Sequence, residues 1–351
     1  MKKKCLLLAL GAAASGNTLA ADVEIYGRVH LSADYLSTSS VYNGVNFSSN
    51  SSRIGFRAKE DLDVVTVFMQ LEQQYNTLQG SKNTSGELAT RNTFIGLQND
   101  YGTLRIGRFD SPFKTARGPA DLFGSQVGDM RALTRNDGFD NRFDNSVELQ
   151  SPRFYGLQVN LAYSLHEELT NEGKDENAQS YSVSTTYKEG AWDAALAYEN
   201  YQKDTGKGKR DAVRLAAAYQ FVPSTKGVAF YQHVGSTEDE RSANIYGLGA
   251  TYALTKAVTL KGMYMERHDG DSDKDAEMGV VGVEYRIAPP LRVYANYAIA
   301  TNGDGAIVTP WDTSGGRTNS VAGKVDDGTG KKVRVPGRDS EAFSLGLRYD
   351  F

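Results

Sequence analysis

The last ten residues alternate without a break: Phe343, Leu345, Leu347, Tyr349 and Phe351 fall on one side of an extended chain, and Ala342, Ser344, Gly346, Arg348 and Asp350 on the other. A period of two with one apolar side describes a β-strand that meets an apolar medium on one face and a polar one on the other. The segment after Ala21 repeats the pattern, with Val23, Ile25, Val29 and Leu31 opposed to Glu24, Tyr26, Arg28, His30 and Ser32. It recurs at Val65–Leu71, Leu157–Tyr163, Tyr181–Tyr187, Val213–Phe221, Tyr246–Leu254, Val281–Ile287 and Leu291–Ile299. No apolar run of the roughly 18 residues needed for a helical span follows Ala21. Mean hydropathy, at −0.47, would mark the chain as water-soluble. Alternation hides an apolar surface in every second residue, however, so the average carries little information here.

The connections alternate as well. Short turn signals, such as Lys59-Glu60-Asp61, Asn99-Asp100-Tyr101-Gly102, Lys188-Glu189-Gly190, Val222-Pro223-Ser224 and Ala288-Pro289-Pro290, take turns with long polar stretches. The long stretches are Thr38–Ser51, Glu167–Gln179, Lys203–Arg210, Gly235–Ser242, Asp269–Asp275 and Asn302–Asp339. An antiparallel barrel with short turns at one rim and long loops at the other produces this order. A soluble β-sandwich would not so regularly put aromatics near strand ends, as at Tyr35, Tyr163, Tyr219, Phe221, Tyr252, Tyr285 and Phe351, where a membrane barrel needs interfacial belts. The expectation is a transmembrane antiparallel β-barrel of about sixteen strands.

The first residues set the compartment. Lys2-Lys3-Lys4, an apolar stretch from Cys5 to Ala14, and Thr18-Leu19-Ala20 have the form of a secretory signal peptide over residues 1–20, leaving residues 21–351 as one barrel domain. The single cysteine, Cys5, leaves with the signal, so neither a disulfide framework nor a cysteine metal site is expected. Loss of Lys2, Lys3 and Lys4 takes the formal charge from −4 to −7, which argues against a nucleic-acid partner.

Local motifs then carry a resemblance. Tyr26-Gly27-Arg28, Ser52-Arg53-Ile54-Gly55-Phe56-Arg57 with Glu60-Asp61-Leu62, and Arg91-Asn92-Thr93-Phe94-Ile95-Gly96-Leu97 resemble the general porins of Gram-negative bacteria. So do Tyr101-Gly102-Thr103-Leu104-Arg105-Ile106-Gly107-Arg108, Asn145-Ser146-Val147 with Ser151-Pro152 and Phe154, and the terminal Leu347-Arg348-Tyr349-Asp350-Phe351. The resemblance implies sixteen strands, a homotrimer in the outer membrane among lipids and lipopolysaccharide, and passive diffusion of ions and small hydrophilic solutes without a cofactor. It also implies that Phe351 belongs to the signal read by the barrel-assembly machinery. Gly27, Gly55 and Gly96 on the early strands would allow close contact between barrels. A substrate-selective channel and a surface adhesin or receptor barrel are the alternatives.

The segment Asp110–Asn141 is too long and too charged for the short-turn, long-loop scheme as a surface loop. The resemblance implies that it is the third loop, folded into the barrel to form a constriction, with its acids facing bases on the wall. By parity Arg28, Arg53, Arg57 and Arg142 point inward. Arg91 shares parity with the outward Ile95 and Leu97, but the resemblance implies an inward arginine there. Asp121 and Asp129 are the acid candidates on the loop, and the Pro-Glu-Phe-Gly-Gly of the enteric members is missing, with Ser125 or Gln126 near the expected Glu. Several arginines facing few acids would favour anions. Enzymatic readings do poorly: none of the nucleophile, zinc or phosphate-loop motifs accompanies His30, His166, His233 and His268. His30 reads as a polar pore-lining residue, and Asp269-Gly270-Asp271-Ser272-Asp273 as a solvated external loop rather than a calcium site.

Overall fold

A computed structural model describes residues 21–78, 89–165, 179–203, 205, 208–236, 242–270, 272–311, 324–326 and 332–351. The signal expected over 1–20 and most of the loop expected over 167–179 lie outside them. The described chain closes into one antiparallel barrel of sixteen strands.

Strand β1 (Asp22–Thr38) is long enough to serve two partners on one edge, β2 (Tyr42–Ser49) along its upper half and β3 (Arg53–Leu62) along its lower half. β2 and β3 are one barrel strand interrupted at Asn50–Ser52, where Ser51 takes a positive φ of 62° and Asn50 N donates to His30 O at 2.7 Å. Neighbours then pair in chain order through β4 (Val65–Gln74), β5 (Thr93–Asn99), β6 (Gly102–Asp110), β7 (Arg142–Gln150) and β8 (Leu157–Ser164). The order continues with β9 (Ser180–Glu189), β10 (Trp192–Tyr201), β11 (Arg210–Val222), β12 (Thr225–Ser236) and β13 (Ala243–Ala253). β14 (Val258–Asp269), β15 (Ala276–Ala288) and β16 (Leu291–Asn302) follow, and a two-stranded ribbon, β17 (Lys324–Asp326) with β18 (Lys332–Arg334), stands apart from the barrel sheet. β19 (Ser340–Asp350) pairs with β16 on one side and β1 on the other, in the register Arg28↔Asp350 to Thr38↔Ser340, and closes the ring.

The expected loop at Thr38–Ser51 is therefore mostly strand. Its alternation of Val45 and Phe47, both well exposed, with Asn46 and Ser48 is spread among Asn, Gly and Ser, which disguised a hairpin as a loop. The closing seam runs through the last residue: Gly27 N donates to Phe351 O at 2.9 Å and Phe351 N to Gly27 O at 3.1 Å.

Outside, the predicted faces hold. Leu215, Leu248, Val281, Leu345 and Phe351 are exposed, each beside a buried neighbour in the strand or across it, and Tyr35, Tyr163, Phe221, Tyr252 and Tyr285 stand out with them. An apolar band of this extent around the whole circumference has a stable partner only in lipid. The three glycines expected to bring barrels together do something else. A Cβ on Gly27 would lie 2.4 Å from the Phe351 ring, on Gly55 2.4 Å from the Tyr26 ring and on Gly96 2.3 Å from the Phe68 ring. Each glycine makes room for an aromatic ring of its own barrel, so none offers a bare surface to a second one.

Candidate functional site

The chain between β6 and β7 is ordered by local capping and then by the wall. Ser111 Oγ accepts from Lys114 N at 3.2 Å and Pro112 takes the first position of helix α1 (Pro112–Thr115), where a missing N–H costs nothing. Farther on comes α2 (Arg131–Thr134). Phe113, Phe123, Val127, Leu133 and Phe139 are all buried, with Phe139 tilted against Tyr201 of β10 at 5.6 Å between ring centroids.

Wall side chains hold this segment point by point. Phe113 N donates to Ser182 Oγ of β9 at 2.9 Å. Arg214 of β11 donates through Nη1 and Nη2 to the two carboxylate oxygens of Asp140 at 2.6 and 3.0 Å, and both side chains are fully buried. Arg267 of β14 grips Asp137 in the same forked way at 2.7 and 2.8 Å. Lys261 Nζ donates to Leu122 O at 3.2 Å and Gln126 Oε1 at 3.3 Å, and Asn296 Nδ2 donates to Gln126 Oε1 at 2.8 Å. Gly128, at φ +84°, donates its N–H to Pro310 O at 2.7 Å; a Cβ there would sit 2.3 Å from Val280. These anchors all lie on the face opposite the exposed Leu, Val and Tyr residues.

Beside this segment is a cavity of about 710 Å³ in which twelve lining residues are Lys or Arg and five are Asp or Glu. The wall contributes Arg28, Arg53, Arg91 and Arg142, together with Arg108, Lys261, Arg292 and Arg348; the segment contributes Lys114, Arg117, Arg131 and Arg135.

A profile of the Gram-negative porins matches residues 7–305. The chain belongs to that family. Among relatives, major outer membrane protein P.IB of Neisseria meningitidis serogroup B is 27% identical over 310 residues, 81% of this chain and 89% of the relative. Outer membrane porin protein 32 of Delftia acidovorans is 24% identical over 323 residues, 87% and 91% of the two chains. Among solved structures, the anion-selective porin from Comamonas acidovorans superposes with a TM-score of 0.77 at 21% identity, covering 95% of this chain and all of that one. The trimer form of OmpT from Vibrio cholerae does so with 0.64 at 17% identity, covering 95% and all of the two chains. The protein is an integral outer-membrane β-barrel.

Within the porin, Arg28, Arg53, Arg91 and Arg142 line one cavity and Arg57 does not. Arg57 is half exposed, pairs with Glu24 at 3.3 Å and lies over the Tyr26 ring at 3.9 Å. Arg91 escapes the parity argument because β5 begins only at Thr93. It donates from Nη1 to Gln74 Oε1 at 2.9 Å and shares Glu72 with Arg53.

The expected opposition of loop acids to wall bases is made by Asp140 with Arg214 and Asp137 with Arg267, and not by the two acids singled out in the sequence. Asp121 lines the cavity but pairs with Arg117 of its own segment, Nε to Oδ2 at 3.1 Å. Asp129 is fully buried, pairs with Arg131 at 2.6 Å, and accepts from Ser125 N at 2.6 Å and Arg131 N at 2.9 Å. An acid two to four residues from a base in a tight turn meets that base first and also satisfies turn N–H groups, which parity on the wall cannot reveal. The arginines expected at the constriction have other partners: Arg28 pairs with Asp350, which also takes Arg348, Arg53 and Arg91 pair with Glu72, and Arg142 with Asp110.

Burial and the neighbouring Asp129 charge push Asp121 above the usual carboxylate range. Burial works the same way on Asp129, but the charge and hydrogen bonds of Arg131 outweigh it and hold that carboxyl down. Burial pushes Lys114 down to about 7, against the pull of Asp110.

His30 is inside, as parity requires, yet fully buried against Tyr294, with Nε2 2.9 Å from its hydroxyl, instead of lining open water. Asp269 is taken by Arg267 at 2.7 Å, and Asp271 lies outside the described residues. Of the cavity bases missed in the sequence, Arg348 shares the polar face of β19 and Arg292 that of β16, so parity alone would have found both. The bases on the segment after β6 carried no such signal.

Proposed function

We propose that the porin forms a water-filled pore through which anions and small hydrophilic solutes diffuse passively, with anions preferred. In this reading residues 111–141 fold into the pore and form its constriction against Arg28, Arg53, Arg91 and Arg142, while Asp121 and Asp129 serve as internal partners of the segment. Residues 1–20 direct export and are removed, three copies assemble among outer-membrane lipids and lipopolysaccharide, and Phe351 marks the chain for the barrel-assembly machinery.

One observation carries the proposal: a chain with a net negative charge gathers twelve bases against five acids around a single cavity. Charge of one sign in a low-dielectric enclosure raises the local concentration of the opposite ion and sets selectivity as charged rings do in other pores. The anion-selective porin from Comamonas acidovorans and the trimer form of OmpT support the anion preference and the threefold assembly.

Single-channel recording of mature protein in a planar bilayer under a potassium chloride gradient tests the reading. Ohmic steps that close in threes, with a reversal potential on the chloride side, are expected. A reversal potential on the potassium side removes the anion preference, and the absence of conductance from folded protein turns attention to an adhesin or receptor.

A further inference from the structure

Arg28, Arg53, Arg142 and Arg348 hold their partners in the same unusual way. Arg28 Nε meets Asp350 at 2.6 Å, Arg348 Nε the same carboxylate at 2.8 Å, Arg53 Nε meets Glu72 at 3.2 Å, and Arg142 Nε meets Asn92 Oδ1 at 2.8 Å and Asp110 at 3.1 Å. No Nη atom of these four donates a hydrogen bond to a described residue. Contrast Arg214 and Arg267, whose Nη forks are spent on Asp140 and Asp137. An arginine gripped only at Nε has its plane fixed while its two parallel terminal N–H groups, the part that matches carboxylate or phosphate, stay available. All four line the cavity, with side chains between 14% and 22% exposed.

Three of them form a row. Arg28 and Arg53 are direct register partners across β1 and β3, and Arg348 lies two register positions along, opposite His30 across β1 and β19, on the same face as Arg28. Three adjacent strands spread these forks over roughly 10 Å, at about 4.8 Å per strand. Like charges directly opposite one another weaken a sheet. The anchoring carboxylates do not neutralise the row, because Asp350 is shared among Arg28, Arg348 and Arg292, and Glu72 between Arg53 and Arg91. A single chloride is too small to reach from one end of the row to the other, whereas a molecule with two anionic groups a few bonds apart can engage separate forks along it.

We propose that the Arg348–Arg28–Arg53 row is a binding subsite for small solutes bearing two or more carboxylate or phosphate groups, so that their passage saturates. This rests on the anion-preferring pore proposed above. Bound solute occupies the path of the chloride current and interrupts it.

The test records single channels of the mature protein in symmetric potassium chloride while succinate, inorganic phosphate, pyrophosphate or acetate is added to one side. Succinate and pyrophosphate should interrupt the current in a saturable manner and acetate should not. Interruption by succinate alone assigns the row to dicarboxylates, and by phosphate and pyrophosphate alone to phosphorylated solutes. Arg348→Lys keeps the charge and loses the fork; it should raise the half-blocking concentration about tenfold, the order expected for one charge-assisted hydrogen bond, with the reversal potential unchanged. Arg57→Gln, outside the cavity, should block like wild type. If the pore is anion-preferring and no dianion interrupts its current, or if Arg348→Lys blocks as wild type does, the subsite is overturned while the diffusion reading stands. A reversal potential favouring potassium overturns that reading itself.

Discussion

The two halves of the barrel wall differ on their inner faces. Along β1, β3 and β4 the inward residues include Arg28, Arg53 and Gln74, which line the cavity, and the buried Glu72, which pairs with Arg53. Along β10 to β15 they are Ala195, Ala197, Ala212, Ala216, Val228, Phe230, Ile245, Met265, Met278 and Val280, nearly all shielded from solvent, with Arg214 and Arg267 inserted among them. The second half is apolar on both faces: one meets lipid, and the other packs against the buried side chains of the segment 111–141. Its small alanines leave room for Phe113, Leu133 and Phe139. The same charged residue type therefore has two uses, as a clamp on the covered half and as an open fork on the bare half.

Disturbing the clamp should cost the most. Arg214→Met leaves Asp140 buried with Arg117, 3.6 Å away, as its one cationic partner among the described residues, and should destabilise the folded barrel by about 3–5 kcal/mol, the usual penalty for breaking a buried pair. A lower melting temperature of the heat-modifiable form and a larger, noisier conductance are the readouts; wild-type values for both would end the distinction between the halves. Leu133→Ala removes a fully buried side chain from the same interface and should cost about 3 kcal/mol while leaving selectivity close to wild type.

On the bare half the effects should reverse. Arg53→Gln and Arg142→Gln, partly solvated and each sharing an acid with a second base, should change stability by less than about 1 kcal/mol, as for exposed ion pairs, yet move the reversal potential measurably toward zero. Unchanged selectivity in both would place the filter elsewhere.

The smallest effect is a pH dependence where the halves meet. Because burial lowers Lys114 to about 7, its positive charge is present below that value and lost as pH rises through it. Anion preference should therefore decline slightly over that range, and Lys114→Arg, which stays protonated, should flatten the profile. An equal decline in the variant would assign the titration to another group.

The same contrast explains what could be read from the chain alone. β1 and β19 are legible because lipid and water face their two sides, and their alternation is clean. β10, β12 and β14 are not picked out by alternation: Ala194, Ala195 and Ala197 blur the first, and apolar side chains on both faces blur the others, as with Phe230 beside Tyr231 and Met263 and Met265 around Tyr264. The bounds of the segment after β6 were readable from its prolines, glycines and charges. Its ion pairs were not, since whether Asp121 meets Arg117 or a wall arginine is decided by turn geometry with no sequence period. Arg91 shows the complementary failure, a residue assigned to a strand that had not yet begun.

The seam between Gly27 and Phe351 has a further consequence for how the molecule comes into being. Both backbone hydrogen bonds of that pair and the ring that covers Gly27 belong to the final residue. Without Phe351 neither is made, and unpaired N–H and C=O groups remain along an edge where ring closure needs none. Phe351 is thus the clasp of the ring, holding the β1 edge by its backbone and covering Gly27 with its side chain.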